Sequence, residues 1–371
     1  MLDSSQDKLL KTLKDFIYRE KTVLEIDDKV INLAKNQMVG GIVYYQTNTD
    51  ILKNDYLNGL YTYCNRKKIE TEIFNAFEKE NIQFFLFKGT RIAEYYSVKA
   101  LRSMSDSDIM VHAEDLERAG KILENLGFDK QSGDDIEWVY LKDKYQLELH
   151  CHLLYEVDFL NSEKSINLME KCWDYVHNNE LDWNFHFIYL ILHIKKHILY
   201  SGIGIRQFLD LSIIQSQIEL DYKWIREKLE EIDLFAFAKT VLSLNETWFG
   251  VVSPYEKENV EESYEIITDK ILSGSVFGDF EEENQNRAVN KLNNGEKVFT
   301  LKGLISSIFL KYDQIITIKR YSYVKNRKYL LWIAWTHRWL YSLKNIKSLK
   351  TYAISKNDIE QRQNYLKLWK L

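Results

Sequence analysis

Phe84-Phe85-Leu86-Phe87-Lys88-Gly89-Thr90, then Ser105-Asp106-Ser107-Asp108-Ile109-Met110-Val111, then Gln146-Leu147-Glu148-Leu149-His150: the reading of these three stretches decides the fold. The first is a short aromatic run ended by glycine, which reads as a buried strand entering a turn. Thr90 is suited to cap a helix starting over Arg91 to Tyr96. In the second stretch, side chains of a strand alternate between faces, so Asp106 and Asp108 point the same way. Two carboxylates so placed can share hard divalent cations, which demand oxygen ligands. Glu148 completes a set of three where its strand pairs beside theirs. A glycine just before a helix start lets triphosphate oxygens reach backbone N–H groups, which marks Gly89 and Thr90 as phosphate-binding. Together these parts suit in-line phosphoryl transfer supported by two metal ions. Asp106-Ser107-Asp108 alone would read better as a solvated turn; the flanking Gly-Thr, the apolar triplet and the later carboxylate favour the site.

Outward from this centre, the charged turn Lys142-Asp143-Lys144 joins strands over Ile136 to Leu141 and Tyr145 to Cys151. Between the second and third strands Leu116, Ala119, Ile122, Leu123 and Leu126 line one side of an amphipathic helix that Gly127 stops. Residues 1–81 read as a helical lead-in, with Ile73, Phe74 and Phe77 on one helix face, and residues 82–160 as the α/β core. From 161 to 371 helical periodicity returns, as in Phe187, Leu190, Ile191, Ile194 and Ile198, with an exposed loop expected over 281–294. The fold class is therefore α+β: a small mixed sheet with flanking helices between helical N- and C-terminal regions.

Composition agrees with this and narrows the function. A single proline, Pro254, in 371 residues favours helix. The net charge of −5 argues against a sequence-blind electrostatic grip on nucleic acid, although Lys319 to Lys350 mixes basic with aromatic residues. Cys64, Cys151 and Cys172 lack CxxC spacing, so neither a disulfide framework nor a zinc knuckle is expected, and a reducing cytoplasm fits best. No basic segment followed by an apolar run opens the chain, and no stretch is apolar enough to span a bilayer, so a soluble protein with no membrane partner is expected.

Phe87-Lys88-Gly89-Thr90, Tyr95-Tyr96, Arg102, Asp106 to Val111, Glu114-Asp115-Leu116, Leu126-Gly127-Phe128 and Glu148-Leu149-His150 resemble the uncharacterised nucleotidyltransferase family of the DNA polymerase β-like superfamily. Leu192 to His197 and Ile205 to Asp210 fit its pattern too; the likeness covers about two thirds of the chain and is faint after Pro254. The resemblance implies transfer of a nucleoside monophosphate from a nucleoside triphosphate to a hydroxyl, with release of pyrophosphate. It implies that Asp106, Asp108 and Glu148 hold Mg2+ or Mn2+, with Glu148 helping to deprotonate the acceptor. Gly89 and Thr90 would cradle phosphates, with Lys88 and Arg102 as neighbours and Lys195, Lys196 or His197 bordering the cleft. The acceptor stays open: a small molecule, a sugar, a peptide or an RNA end. Thr90 replaces a commoner serine, and Ser107 is polar where an apolar residue usually anchors the strand, which is expected to loosen Asp106 and Asp108.

Other pairings have plainer readings. His193 and His197 lie four apart, but without the glutamate of a zinc-protease helix they read as a structural pair. Arg206 and Asp210 read as an intrahelical ion pair. His150 is a candidate beside the site, and Trp332, Trp335 and Trp339 read as core. Two further functions compete with catalysis: an inactive nucleotide-binding regulatory module, for which Ser107 speaks, and a toxin- or antitoxin-like protein that modifies RNA.

Overall fold

The computed structural model describes residues 3–134, 136–154, 162–199, 202–257 and 259–274, then 289, 312–315, 323–324, 327–344 and 356–371. It divides into two units, residues 1–278 with 368–371, and residues 279–367. The first unit opens with helices α1 (Ser4–Ile17), α2 (Asp28–Asn36), α3 (Gly40–Thr47) and the long α4 (Lys53–Lys79). The core follows as β1 (Phe84–Phe87), α5 (Lys88–Ile92), β2 (Asp106–Val111), α6 (Leu116–Asn125), β3 (Asp129–Gly133), β4 (Glu137–Lys142) and β5 (Tyr145–His150). After α7 (Glu163–Met169) and the short pair β6 (Val176–His177) and β7 (Glu180–Leu181) come α8 (Trp183–Leu199), α9 (Ile205–Gln217), α10 (Tyr222–Glu231), α11 (Phe235–Phe249) and α12 (Glu261–Ser273). The protein is thus α+β, with a small mixed sheet flanked by helices.

The sheet runs β1-β2-β5-β4-β3. β2 and β5 are parallel, and the other pairs are antiparallel. Alternation sorts its two faces. Ile109, Val111, Leu147 and Leu149 join Ile73 and Phe77 of α4 and Ala119 and Leu123 of α6 in one fully buried cluster. The opposite face carries Asp106, Asp108, Glu148 and His150, and α8 approaches it through Tyr189, whose ring lies 5.5 Å from that of Phe87. One sheet thus has an apolar face that stabilises it and an acidic face that can do chemistry.

Several local expectations shift. The helix after β1 begins at Lys88, not after a Thr90 cap, and no side chain caps it. β2 starts at Asp106, three residues before the apolar triplet, because parallel pairing with β5 extends through both aspartates. The sequence reading missed β3, whose five residues are all exposed and so carry no hydrophobic alternation. Gly127, at φ 85, ends α6 in the left-handed region that glycine tolerates, as expected.

The second unit holds α13 (Tyr312–Ile315), α14 (Leu331–Lys344) and most of α15 (Lys356–Leu368), with a small cluster of Ile315, Val324 and Ala334. Trp335 packs on that cluster, but Trp332 is 61% exposed, contrary to its reading as core. The side chain of Trp339 and, apart from Val289, the loop expected over 281–294 lie outside the described residues. No helix among the described residues is long and apolar enough to cross a membrane.

Candidate nucleotidyl-transfer site

Register brings the carboxylates together: Asp106 stands opposite Gln146 and Asp108 opposite Glu148 across the β2–β5 pair. Asp108, Glu148 and His150 offer ligand atoms within 4.8 Å of one another, while Asp106 stands outside that triad. Lys88 comes from the turn after β1, its Nζ 2.6 Å from Asp108 Oδ1 and 4.0 Å from Glu148 Oε2. His150 places Nε2 3.1 Å from Asp108 and 3.4 Å from Glu148, and Nδ1 3.2 Å from Glu137.

These groups set one another's charge. Burial opposes the Asp108 carboxylate, but Lys88 and His150 outweigh it and hold its pKa below the ordinary value. Burial likewise opposes Glu148, yet its contact with His150 leaves its pKa lowered. Asp106 moves the other way, raised first by burial and then by the like charges of Asp108 and Glu148. Burial and Lys88 act against an imidazolium at His150, but hydrogen bonds to Asp108 and Glu148 raise its pKa. Asp106, Asp108, Glu148 and Glu137 outnumber Lys88 and His150, so the cluster keeps a negative charge that a divalent cation would offset. Carboxylate oxygens from adjacent strands, converging on one point, fit such an ion.

The backbone at Lys88 is special. Its φ of 50 lies in the left-handed region, which costs an L-residue about 1–2 kcal/mol. Two contacts hold it there: its N–H donates to His186 Nε2 at 3.0 Å, and its ammonium reaches Asp108. His186 must therefore be neutral at Nε2, and burial with Arg91 nearby pushes its pKa well down. Strain held by surrounding structure is typical of functional turns.

Gly89 and Thr90 follow directly. A Cβ on Gly89 would stand 2.7 Å from Cζ of Arg102 and 3.0 Å from Met104 Sδ. The missing side chain thus makes room for the Arg102 guanidinium, which the local sequence could not reveal. Thr90 is buried and its hydroxyl has no hydrogen-bond partner among the described residues. Arg102 is held by Asp210, with Nη2 2.7 Å from Oδ2 and Nε 3.3 Å from Oδ1. The Tyr96 hydroxyl donates to the same Asp210 Oδ1 at 2.6 Å. The expected Arg206–Asp210 ion pair is therefore replaced: Arg206 donates to the Ser103 carbonyl at 2.8 Å, and Asp210 serves Arg102 from another element.

Ser107 points to the core face, where it is fully buried. Its hydroxyl donates to Glu70 Oε1 at 2.9 Å and accepts from Arg66 Nη1 at 2.9 Å, both from α4. Arg66 also donates to the carbonyls of Asp106 and Met104. The polar residue does not loosen the strand; α4 clamps it through hydrogen bonds where an apolar residue would have used packing. Arg66 and Glu70 share a helix face at i, i+4, but nothing near them in sequence announces a partner about 40 residues on.

On α8, His197 Nε2 lies 3.0 Å from His193 Nε2, so the two rings pair across one helical turn. Burial, then Lys196 and Lys88, push His197 down to about 4. His186, Tyr189, His193 and His197 form a stripe of rings along the helix, each in ring contact with the next. Lys195, two residues from both His193 and His197, projects from a different side of the helix. Glu137, His186, Tyr96 and Asp210 were not read as site residues, because each acts through a contact that sequence spacing does not show.

Comparison with known proteins agrees with this geometry. No curated protein and no solved structure matches the chain. A family model described as an uncharacterised nucleotidyltransferase matches residues 27–250, which runs from the start of α2 through both strands of the acidic pair to the end of α11. With its strained lysine turn, its acidic β2–β5 pair and more than half its length matched, the chain belongs to the uncharacterised nucleotidyltransferase family.

Proposed function

We propose that this protein transfers a nucleoside monophosphate from a nucleoside triphosphate to an acceptor hydroxyl and releases pyrophosphate. The observation that carries the reading is Asp108 opposite Glu148 on adjacent parallel strands, with His150 converging on both. Asp106, Asp108 and Glu148 would hold Mg2+, or Mn2+ in its place, with His150 at the edge of the set. Divalent cations supply Lewis-acid stabilisation of charge on the reacting phosphate oxygens.

The side chains divide the remaining work. Glu148, whose lowered pKa keeps it ionised near neutrality, accepts the proton of the acceptor hydroxyl. Lys88, held ionised because Asp108 and Glu148 overcome its burial, adds positive charge beside the triphosphate. Gly89 and Thr90 meet the β- and γ-phosphates, and Arg102, packed against Gly89, contributes its field from behind the turn. His150 fixes the orientation of Asp108 and Glu148. His197 and Lys195 are the candidates for further phosphate contacts from α8.

The test is thermal stabilisation by each of the four ribonucleoside triphosphates, with and without magnesium. Ligand at 100 times its dissociation constant stabilises by about 2.7 kcal/mol. We expect a magnesium-dependent rise in Tm that Asp108→Asn and Glu148→Gln each remove, together with acceptor-dependent pyrophosphate release. A folded wild-type protein that responds to no triphosphate would overturn the proposal.

A further inference from the structure

A cavity of about 230 Å³ lies between the α2–α3 turn, α4 and residues 100–104. It shares a wall with the phosphate turn, since Arg102 and Met104, which line it, are the side chains packed against Gly89. Arg66, also in its lining, is the residue that grips the carbonyl of Asp106. The cavity is therefore one side chain away from both the phosphate turn and the first aspartate, and of the residues assigned to nucleotide or metal only Arg102, in the shared wall, lines it.

Its chemistry is specific about charge. The two guanidinium groups in its wall are already answered, Arg66 by Glu70 through Ser107 and Arg102 by Asp210. The remaining ionised lining groups, Lys35 and Asp55, offset each other. Asn58, Thr62 and Tyr63 add amide and hydroxyl groups, and none of these five side chains makes a hydrogen bond or ion pair among the described residues. The lining thus offers unpaired donors and acceptors in both senses, beside one aromatic ring, with no surplus charge. A surplus would select an anion or a cation; its absence selects a molecule rich in hydroxyls. The volume holds about eight waters at ~30 Å³ each, below the roughly 300–1,000 Å³ of drug-sized sites and suited to one sugar ring or a short polyol.

We propose that this cavity seats the acceptor, and that the acceptor is an uncharged, hydroxyl-rich unit of about the size of one monosaccharide. The inference rests on the nucleotidyl-transfer reading above and adds the substrate class to it. In the step, the acceptor oxygen forms a bond to the α-phosphorus and its proton passes to Glu148. The bond from that phosphorus to pyrophosphate breaks, and the electron pair leaves with the pyrophosphate oxygen.

Saturation-transfer NMR on the full chain tests this, with glucose, myo-inositol and glycerol as neutral probes, and glucose 6-phosphate and glucosamine as charged comparators. Thr62→Trp and Asn58→Trp place a bulky ring in the cavity from exposed positions on α4, and melting curves establish that each is folded. We expect transfer to at least one neutral probe, weaker transfer to its charged counterpart, and affinity reduced at least about tenfold by either tryptophan. No transfer to any neutral probe, preference for a charged one, or indifference to both tryptophans would overturn the inference while leaving the magnesium–triphosphate response intact. Neutral-probe binding by a wild-type protein with no magnesium–triphosphate response would instead remove the acceptor role together with the nucleotidyl-transfer reading.

Discussion

Replacing Gly89 by alanine separates two explanations of that glycine. Its φ is not in the left-handed region, so the backbone accepts alanine, and helix propensity alone would favour the change by about 1 kcal/mol. The added methyl, however, would meet Arg102 Cζ at 2.7 Å, and Nη1 closer still, where ordinary contact begins at 3.4 Å. The guanidinium must retreat by more than 0.7 Å, since Nη1 stands nearer than Cζ. It cannot do so freely, because Asp210 holds it through bonds of 2.7 and 3.3 Å in a buried setting, and a further retreat takes the longer bond out of range. Overpacking costs about 1–3 kcal/mol, and weakening a buried ion pair adds to it, so a net loss of about 2–4 kcal/mol is expected. In a unit of this size that lowers Tm by roughly 5–10 °C. The assay is thermal melting of Gly89→Ala in the wild-type and Arg102→Met backgrounds, with the magnesium–triphosphate shift measured on each. Once the guanidinium is gone, the alanine should cost less than about 1 kcal/mol, giving a clear interaction energy between the sites. Equal costs in the two backgrounds, or a more stable Gly89→Ala protein, would refute the account of Gly89 as room for Arg102.

Two more outcomes follow from the site's packing and charge. Ser107→Ala removes the hydroxyl between Glu70 and Arg66 and leaves a buried acceptor unmatched, so we expect a loss of about 1–3 kcal/mol and a smaller magnesium–triphosphate shift; an unchanged Tm would show that α4 does not clamp the strand. The depressed pKa of His197, about 4 against 6.5, means that the unfolded chain binds a proton the native state refuses between those values, and His186 and His193 are shifted in the same direction. Stability contributed by these groups is present above pH 6.5 and lost as pH falls toward 4, whereas the raised His150 loses its contribution as pH rises past its own value. Melting curves from pH 7.5 down to 4.5 should fall more steeply for wild type than for the double variant His193→Phe/His197→Phe; parallel profiles would exclude the pair as a source of acid lability.

The sequence by itself determined the acidic face. Strand alternation fixes Asp106 and Asp108 on one side of β2 and Glu148 and His150 on one side of β5, whatever the rest of the chain does. It also determined the apolar faces of α4 and α6, because a 3.6-residue repeat of large side chains has few other ways to be buried. What it left open was each relationship that spans elements. Ser107 looked like a weakness until α4 supplied Arg66 and Glu70, and the side-chain space that Gly89 leaves open proved to hold Arg102. Asp210 looked like a partner for its helix neighbour Arg206 and instead holds an arginine 108 residues away. A charged side chain pairs with whichever opposite charge the fold buries beside it, and only the tertiary structure, by closing those distances and excluding water, decides which one that is.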